Sequence, residues 1–535
     1  MDTLFVAFAE KDNIYNYEML SLELLMASLK QQGLASHFIQ VEFEYGTELS
    51  NEYLEQCSQD IPWERIGLVG ISPIYLYTEQ INQLIHFIKS KYPKVKITLG
   101  GAMAVEHLSN QMFQIFPNAD ILSIGEGERT IVDLVKCIQS GSDLSKCAGI
   151  VFRSHDEIVC GPPRDDIENL DEVSWADRLM LVKNKSTVAY LQTARGCEGN
   201  CTFCSESRIF SAHRGHKKRW RGRSAKNVVD EIEQIVNQYK VRIFSFVDNS
   251  FEDPLCGGEK RITELAQEII DRKIEVYFRT LMRAESIQRL RHATLEKLKQ
   301  AGMYHVLIGV ESAYPPTLKL FGKRADVQDN IRSIHTIDEL HIDFSLGFIP
   351  YHPYTTLEEV QANLEFFHTS NMEIKFYDVL DNQLKLFQNT PLFDKVKRDN
   401  LLTDQFSMLN PYGYNFADPK MKVLCDASVN MMEYLYQHSN LHKYIELVKM
   451  IKFVLFKAKS DGTVQIEEVW HELRAIENNV GIRVMEVYEN MVGNFITHGE
   501  HMSPASDKEL QQLHMRIIEG TRLLTKIVKK LYAYL

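Results

Sequence analysis

Two runs of strand–helix alternation, separated by a polar stretch, constrain this chain more than any other feature. In the first run, LFVAFA, HFIQVE, RIGLVGIS, KITLGG and ILSIG read as strands, with amphipathic helical segments between them. RIGLVGIS is near-continuously apolar, the pattern of a strand buried on both faces of a parallel sheet. Residues 1–140 are therefore expected to form a doubly wound, Rossmann-like α/β domain with ligand sites at the carboxyl ends of its strands. In the second run VAYLQTA, IFSFVDN, EVYFRT, VLIGVES, DFSLGFIP and IKFYDVL alternate with helices. Six such units over residues 186–400 suit a partial (β/α)6 barrel, whose working residues belong at strand ends and in the loops that follow. Residues 141–185, a hairpin-like GIVFRSHDEIVCGPP and then a polar crossover, are the expected linker. Past Asn400 the strand signal fades. Residues 418–460, 465–495 and 507–533 carry helical periodicity, with Ser506 and Glu509 as a capping-box pair, so 401–535 are expected to be a helical C-terminal domain. Its position in the chain suggests that it lies over the barrel mouth, with Tyr434, Tyr436, Phe453 and Phe456 on its helices.

A length of 535 residues calls for several cores, and 44% hydrophobic with 25% charged residues is ordinary globular composition. The net charge of −12 argues against a general nucleic-acid binder. The opening MDTLFVAFAEKDN lacks a basic leader and reads as a first strand, and no uncharged apolar run is long enough to span a bilayer. Six of the nine cysteines are scattered singly, which is no disulfide framework and fits a reducing cytoplasm.

The other three, Cys197, Cys201 and Cys204, fall within eight positions in TARGCEGNCTFCSESR, directly after a strand. Gly196 and Gly199 make this stretch a loop. Three thiolates on one loop can each bind one iron of a cubane cluster and leave a fourth iron open to a substrate; full ligation would take four cysteines. The alternative is a zinc site completed by a remote histidine, which would make the protein a zinc-stabilised binding module.

The motif C-E-G-N-C-T-F-C, with aromatic Phe203 before the last cysteine and a β/α repeat behind it, resembles the signature of the radical S-adenosylmethionine (radical SAM) superfamily. The resemblance implies an enzyme with a [4Fe–4S] cluster held by Cys197, Cys201 and Cys204. S-adenosylmethionine (SAM) would bind the open iron, and its reductive cleavage would give a 5′-deoxyadenosyl radical. By position, Asp248 and Asn249 after the second strand, Arg279 and Arg283 near the end of the third, and Glu311 and Ser312 in LIGVES are implied cofactor contacts. The plainer reading of each is a strand end with a polar loop. FSLGFIPYHPYTTLEE resembles the fifth-strand region, but Tyr-His-Pro-Tyr replaces the usual Gly-x-Pro-Gly-Glu-Thr type of turn. The basic run RIFSAHRGHKKRWRGRSAK reads either as a solvated loop leading to a helix capped by Ser224, or as a docking patch. Lys217, Lys218 and Arg219 would then meet a flavodoxin-type electron donor or a substrate phosphate.

GISPIYLYT…KITLGGAMA and DILSIGEGERTIVDL resemble the cobalamin-binding domain that precedes many radical SAM domains. Gly100, Gly101, Gly125 and Gly127 let backbone approach a large flat ligand, Glu126 lies among them, and Ser72 can hydrogen-bond its tail. The D-x-H-x-x-G motif is absent, and His37, His86 and His107 lie in surface contexts, so cobalt would lack a protein imidazole. Tyr75 or Tyr77 could cover the lower face or simply pack. Together the resemblances imply methyl transfer from methylcobalamin to an unactivated carbon or phosphinate of a small-molecule or peptide substrate. A cobalamin-dependent rearrangement or cyclisation, and radical SAM chemistry beside a vestigial first domain, are the alternatives.

Overall fold

The computed structural model describes residues 1–11, 18–44, 46–73, 77–101, 104–155, 157–206, 219–252, 259–403, 413–458 and 465–532. The first sheet has seven strands in the order β2-β1-β3-β4-β5-β6-β7. They are β1 Asp2–Glu10, β2 Ser36–Phe43, β3 Ile66–Ile71, β4 Lys96–Leu99, β5 Ile121–Ser123, β6 Ile150–Ser154 and β7 Glu157–Cys160. The first five are parallel and helices cover both faces, so β1 and β3 are apolar almost throughout. The chain reverses its direction of growth between β1 and β3, which opens a crevice at their carboxyl ends. The hairpin expected after residue 140 forms as β6 and β7, and β6 pairs antiparallel with β5, so the first sheet continues to Cys160.

The crossover that follows is riveted rather than loose. Arg178, fully buried with its backbone in the left-handed region (φ 54°), donates to Glu18 Oε1 (2.9 Å), to Glu231 Oε1 (2.7 Å) and to the Tyr190 carbonyl (2.6 Å). One guanidinium thus joins the first domain, the crossover and a helix of the second domain.

The second sheet runs β14-β13-β12-β11-β8, all parallel. Its strands are β8 Val188–Leu191, β11 Ile243–Phe246, β12 Tyr277–Arg283, β13 Met303–Glu311 and β14 Asp343–Phe348; the short antiparallel pair β9 Ala194–Gly196 and β10 Trp220–Gly222 lies between the first two in sequence. Each strand neighbours its predecessor, as in a partial barrel. Ser224 caps the helix Ala225–Tyr239 as expected, its hydroxyl accepting from the Asn227 N–H at 3.2 Å.

The sixth strand expected at IKFYDVL is instead a 3-10 helix, Glu373–Asp378. Ile374, Lys375, Phe376 and Tyr377 are all buried, which no alternating strand could achieve. The helix Gln465–His498 occupies the edge, its Gly481 lying so close that a Cβ would collide with the Glu373 carbonyl. Among the described residues, Tyr351 and Gln383 form an isolated parallel bridge just past the end of β14.

Four long helices, Lys420–His438, Leu441–Ala458, Gln465–His498 and Asp507–Tyr532, complete the described chain, with the capping box at Ser506 and Glu509 formed. Their core is continuous with that of the second sheet. One of them, Leu441–Ala458, lies under the strands and not over the barrel mouth. Phe453 packs against Tyr277 (5.2 Å) and Tyr304 (4.9 Å) at the amino ends of β12 and β13, and Lys452 pairs with Asp343 (3.2 Å) at the amino end of β14. Apolar surface under the strands and along the β14 edge is what these helices cover; Tyr436, by contrast, is exposed. Among the described residues no helix is long and apolar enough to cross a membrane.

Candidate active site and interdomain cavity

The cysteine loop is held at its entry, middle and exit. At the entry, Asp248 at the end of β11 accepts from the Thr193 N–H (2.7 Å), the Ala194 N–H (2.9 Å) and the Thr193 hydroxyl. Burial raises this carboxyl to about 6 despite those bonds. Gly196 then adopts φ 82°, and a Cβ there would strike the Arg219 carbonyl across the β9–β10 pair. In the middle, a Cβ on Gly199 would stand 3.2 Å from Cys197 Sγ, tighter than most real contacts, and 3.7 Å from Cys201 Sγ. The Gly199 N–H donates to Cys197 Sγ at 3.2 Å. At the exit, Thr202 donates to the carbonyls of Leu320 (2.6 Å) and Phe321 (2.8 Å), and Phe203 packs on Phe321 with ring centres 4.9 Å apart.

Burial raises the Cys197 thiol, eased by the Gly199 N–H and Arg283, and pushes Cys201 up to about 12, eased by Lys323. Burial opposes ionisation of these neighbouring thiols, and the iron of a bound cluster would supply the charge that holds them as thiolates. The donor set fits a cluster.

Around the loop, Arg283, Glu311, Ser312 and Asn249 stand at or just past strand ends, as expected, whereas Arg279 does not. Arg283 ends β12 and donates from Nε to Glu252 Oε1 (2.9 Å), with Glu285 Oε1 at 3.4 Å from Nη1. Glu311 ends β13 with φ 70°, its carboxylate 3.5 Å from Lys323 Nζ. Burial raises Glu311 and Lys323 opposes the rise. Ser312 donates to Glu359 Oε1 at 2.9 Å. Asn249 is half-buried beside Glu206, whose carboxyl burial raises and Asn249 lowers. Arg279 lies mid-strand on Ser245 (2.9 Å), away from the strand end. Sequence reasoning missed Glu252, Glu285 and Lys323. Glu252 and Glu285 are charged residues a few positions beyond a strand end, and that placement was the available signal; Lys323, past the helix Pro315–Leu320, offered none.

The second feature is a cavity of about 340 Å³ where the carboxyl ends of the two sheets face each other. Ser72, Gly100, Gly101, Gly125, Glu126 and Gly127 line it from the first domain, Gln192, Arg195 and Val247 from the second, and Leu20, Leu24 and Leu25 make it largely apolar. Gly101 (φ 86°) brings backbone against Ser72, whose Oγ would lie 2.6 Å from a Cβ there. Tyr75 lies outside the described residues. Tyr77 is a core residue, edge-on to Phe43 at 4.9 Å, and covers no ligand face. No histidine is among the described residues lining the cavity; His86 and His107 are exposed and His37 is bonded to Asp2 at 2.9 Å.

Glu126 does more than line the cavity. It accepts from Arg195 Nη1 (2.8 Å), Arg221 Nη2 (2.9 Å) and the Ile167 N–H (2.6 Å), while Glu128 takes the other end of Arg195. Burial alone would raise Glu126, but Arg195 and Arg221 hold it at about 2. Arg195 stands two residues before Cys197, so the first domain grips the cysteine loop directly. Arg221 and Arg223, expected in a basic patch or solvated loop, are instead buried, Arg223 on Glu231 at 2.6 Å. Arg219 donates to Asn200; Lys217 and Lys218 lie outside the described residues.

A cysteine loop at the mouth of a partial β/α barrel, with charged residues at the ensuing strand ends, defines a class. Residues 191–367 match the Radical SAM superfamily; the chain carries a radical SAM domain over that stretch, which implies a [4Fe–4S] cluster and SAM. Among curated proteins, it is 27% identical over 312 residues to an uncharacterized methyltransferase of Pyrococcus horikoshii, covering 57% of this chain and 63% of that one. It is 26% identical over 412 residues to an anaerobic magnesium-protoporphyrin IX monomethyl ester cyclase of Cereibacter sphaeroides, covering 74% and 62%. The chain thus spans less than two thirds of the length of these relatives. Among solved structures, OxsB, a cobalamin-dependent S-adenosylmethionine radical enzyme with aqua-cobalamin and S-adenosylmethionine bound, has a TM-score of 0.71 at 18% identity over 100% of this chain and 81% of that one. The likeness in fold therefore extends through the helical C-terminal region.

Proposed function

We propose that this chain is a cobalamin-dependent radical SAM enzyme that methylates an unactivated carbon or a phosphinate of a small-molecule or peptide substrate. The observation that carries the reading is the facing of the two sheets: the glycine loops of the first line one cavity with Gln192, Arg195 and Val247 of the second, and Arg195 stands two residues before Cys197. Cys197, Cys201 and Cys204 would hold the cluster, with Gly199 leaving room for the sulfurs. Glu252 and Glu285 each keep one buried oxygen without a partner among the described residues, which suits the amino group of SAM, and Arg283 between them suits its carboxylate. Asn249, just past β11, and Glu311 and Ser312, at the end of β13, are the further contacts we assign to SAM. The largely apolar cavity, with Ser72 at its rim, suits the tail of cobalamin and offers the cobalt no imidazole. When bound, cluster and SAM supply a 5′-deoxyadenosyl radical and cobalamin supplies the methyl group. A flavodoxin-type protein is the proposed electron donor.

The test is anaerobic reconstitution with hydroxocobalamin and SAM. S-adenosylhomocysteine and 5′-deoxyadenosine in equal yield with substrate support methyl transfer. Deoxyadenosine alone refutes it and favours rearrangement or cyclisation, the second reading, which draws support from the cyclase relative.

A further inference from the structure

The turn after β14 departs from the family pattern, and its two unusual residues, Tyr351 and His352, are completely enclosed. The Tyr351 hydroxyl is 2.6 Å from both Ser428 Oγ and Tyr488 Oη in the helical region. His352 belongs to a different network. Its Nδ1 accepts from the Tyr354 N–H at 3.2 Å, which assigns the ring proton to Nε2. Nε2 lies 2.9 Å from Glu359 Oε2 and 3.3 Å from Thr317 Oγ1.

The other oxygen of Glu359 accepts from Ser312 Oγ at 2.9 Å. Ser312 follows Glu311, whose left-handed backbone a glutamate keeps only where its surroundings over-determine it. Those surroundings are on hand: Asn363 accepts from the Ala313 N–H (2.9 Å), Asn330 donates to the Ser312 carbonyl (3.3 Å) and the Ile349 N–H donates to the Glu311 carbonyl (2.8 Å). On its other contact His352 meets Phe321 edge-on at 5.1 Å, and Phe321 carries Phe203 beside Cys204. Glu359 and His352 are both fully buried, with both carboxylate oxygens and both ring nitrogens bonded. A satisfied buried network of this kind specifies one geometry, which an apolar contact would not.

We propose that His352 is a positioning residue which, acting through Glu359, fixes Ser312 and the left-handed Glu311 at the end of β13 where SAM binds. The inference rests on the proposed reading that Glu311 and Ser312 border that cofactor.

Reconstituted enzyme is titrated with SAM and followed by the change in the electron paramagnetic resonance spectrum of the reduced cluster, which reads binding without turnover. His352→Leu removes a hydrogen bond to a charged group and raises the dissociation constant about 10-fold or more. His352→Gln keeps a side-chain N–H donor and stays within about threefold of the parent. His352→Asn is too short to reach Glu359 and behaves as the leucine variant does; it decides the matter should His352→Leu fail to fold. A role confined to packing would lower the thermal midpoint of the variants and leave their affinity unchanged, and that result overturns the proposal. Glu311→Gln is measured alongside. If it weakens SAM binding while the His352 variants do not, the reading of β13 stands and the positioning role falls; if neither moves, both fall.

Discussion

Glu126→Gln tests whether the first domain grips the cysteine loop. The substitution keeps shape and removes the charge that two buried guanidiniums share. The fall of the Glu126 carboxyl from 4.5 to about 2 corresponds to about 3 kcal/mol of preference for its ionised form. Removing one partner of a buried ion pair costs ~3–5 kcal/mol, so the two routes agree. Because the folded value is depressed, this contribution is present above pH 4.5 and is lost as pH falls toward 2. Native-state hydrogen exchange near neutral pH reads the effect locally. Amides at 123–131, at 193–197 and at Ile167, which donates to Glu126, should open more easily by about 3 kcal/mol, exchanging roughly 100-fold faster. Glu172→Gln is the control, because its partner Arg129 is exposed and such pairs are worth about 0–1 kcal/mol. Exchange in Glu126→Gln no faster than in the control would refute the clasp.

Three further outcomes are expected. Gly199→Ala places a methyl group 3.2 Å from Cys197 Sγ, so iron and sulfide per chain should fall after reconstitution while the far-ultraviolet spectrum is retained; full cluster content would show that the loop gives way. Burial and the Glu18 charge raise Glu23 to about 8, so its share of stability is intact at low pH and is lost as pH rises through 8. Thermal midpoints should therefore drop more steeply between pH 5 and 8 in the parent than in Glu23→Gln, and parallel curves would count against the assignment. Arg178→Met strands Glu18 in the interior and leaves Glu231 to Arg223 alone, for a loss of ~3–5 kcal/mol in chemical denaturation; a change below about 1 kcal/mol would mean the crossover is not the rivet it resembles.

Periodicity made both sheets legible, since parallel strands buried on two faces must be apolar throughout. The loop around Cys197 was legible from spacing, and Gly100, Gly101, Gly125 and Gly127 from the needs of backbone at strand ends. What stayed hidden was long-range. Glu126 lay in a glycine-rich segment and read as a ligand contact, yet its partners stand 69 and 95 positions away. Arg221 and Arg223 read as part of a solvated run because charge pairing across domains leaves no local pattern. IKFYDVL read as a strand because apolar residues dominate it; only the approach of Gly481 reveals why it coils. The helical region was recognised as helical but misplaced, because periodicity reports that a face is buried and not against what.

That helix at the β14 edge bears on how the protein can be handled. An outer parallel strand bares a row of unpaired amides and carbonyls, a template for pairing with other chains. Here Gln465–His498 and the coil at Glu373–Asp378 stand along it. A chain cut after residue 400 would keep every cysteine of the loop and the coil beside β14, but would bare Ile374 and Phe376, which the long helix covers through Gly481 and Tyr488. Self-association is the expected fate of that fragment, and expression trials should treat the last 135 residues as part of the catalytic domain's solubility.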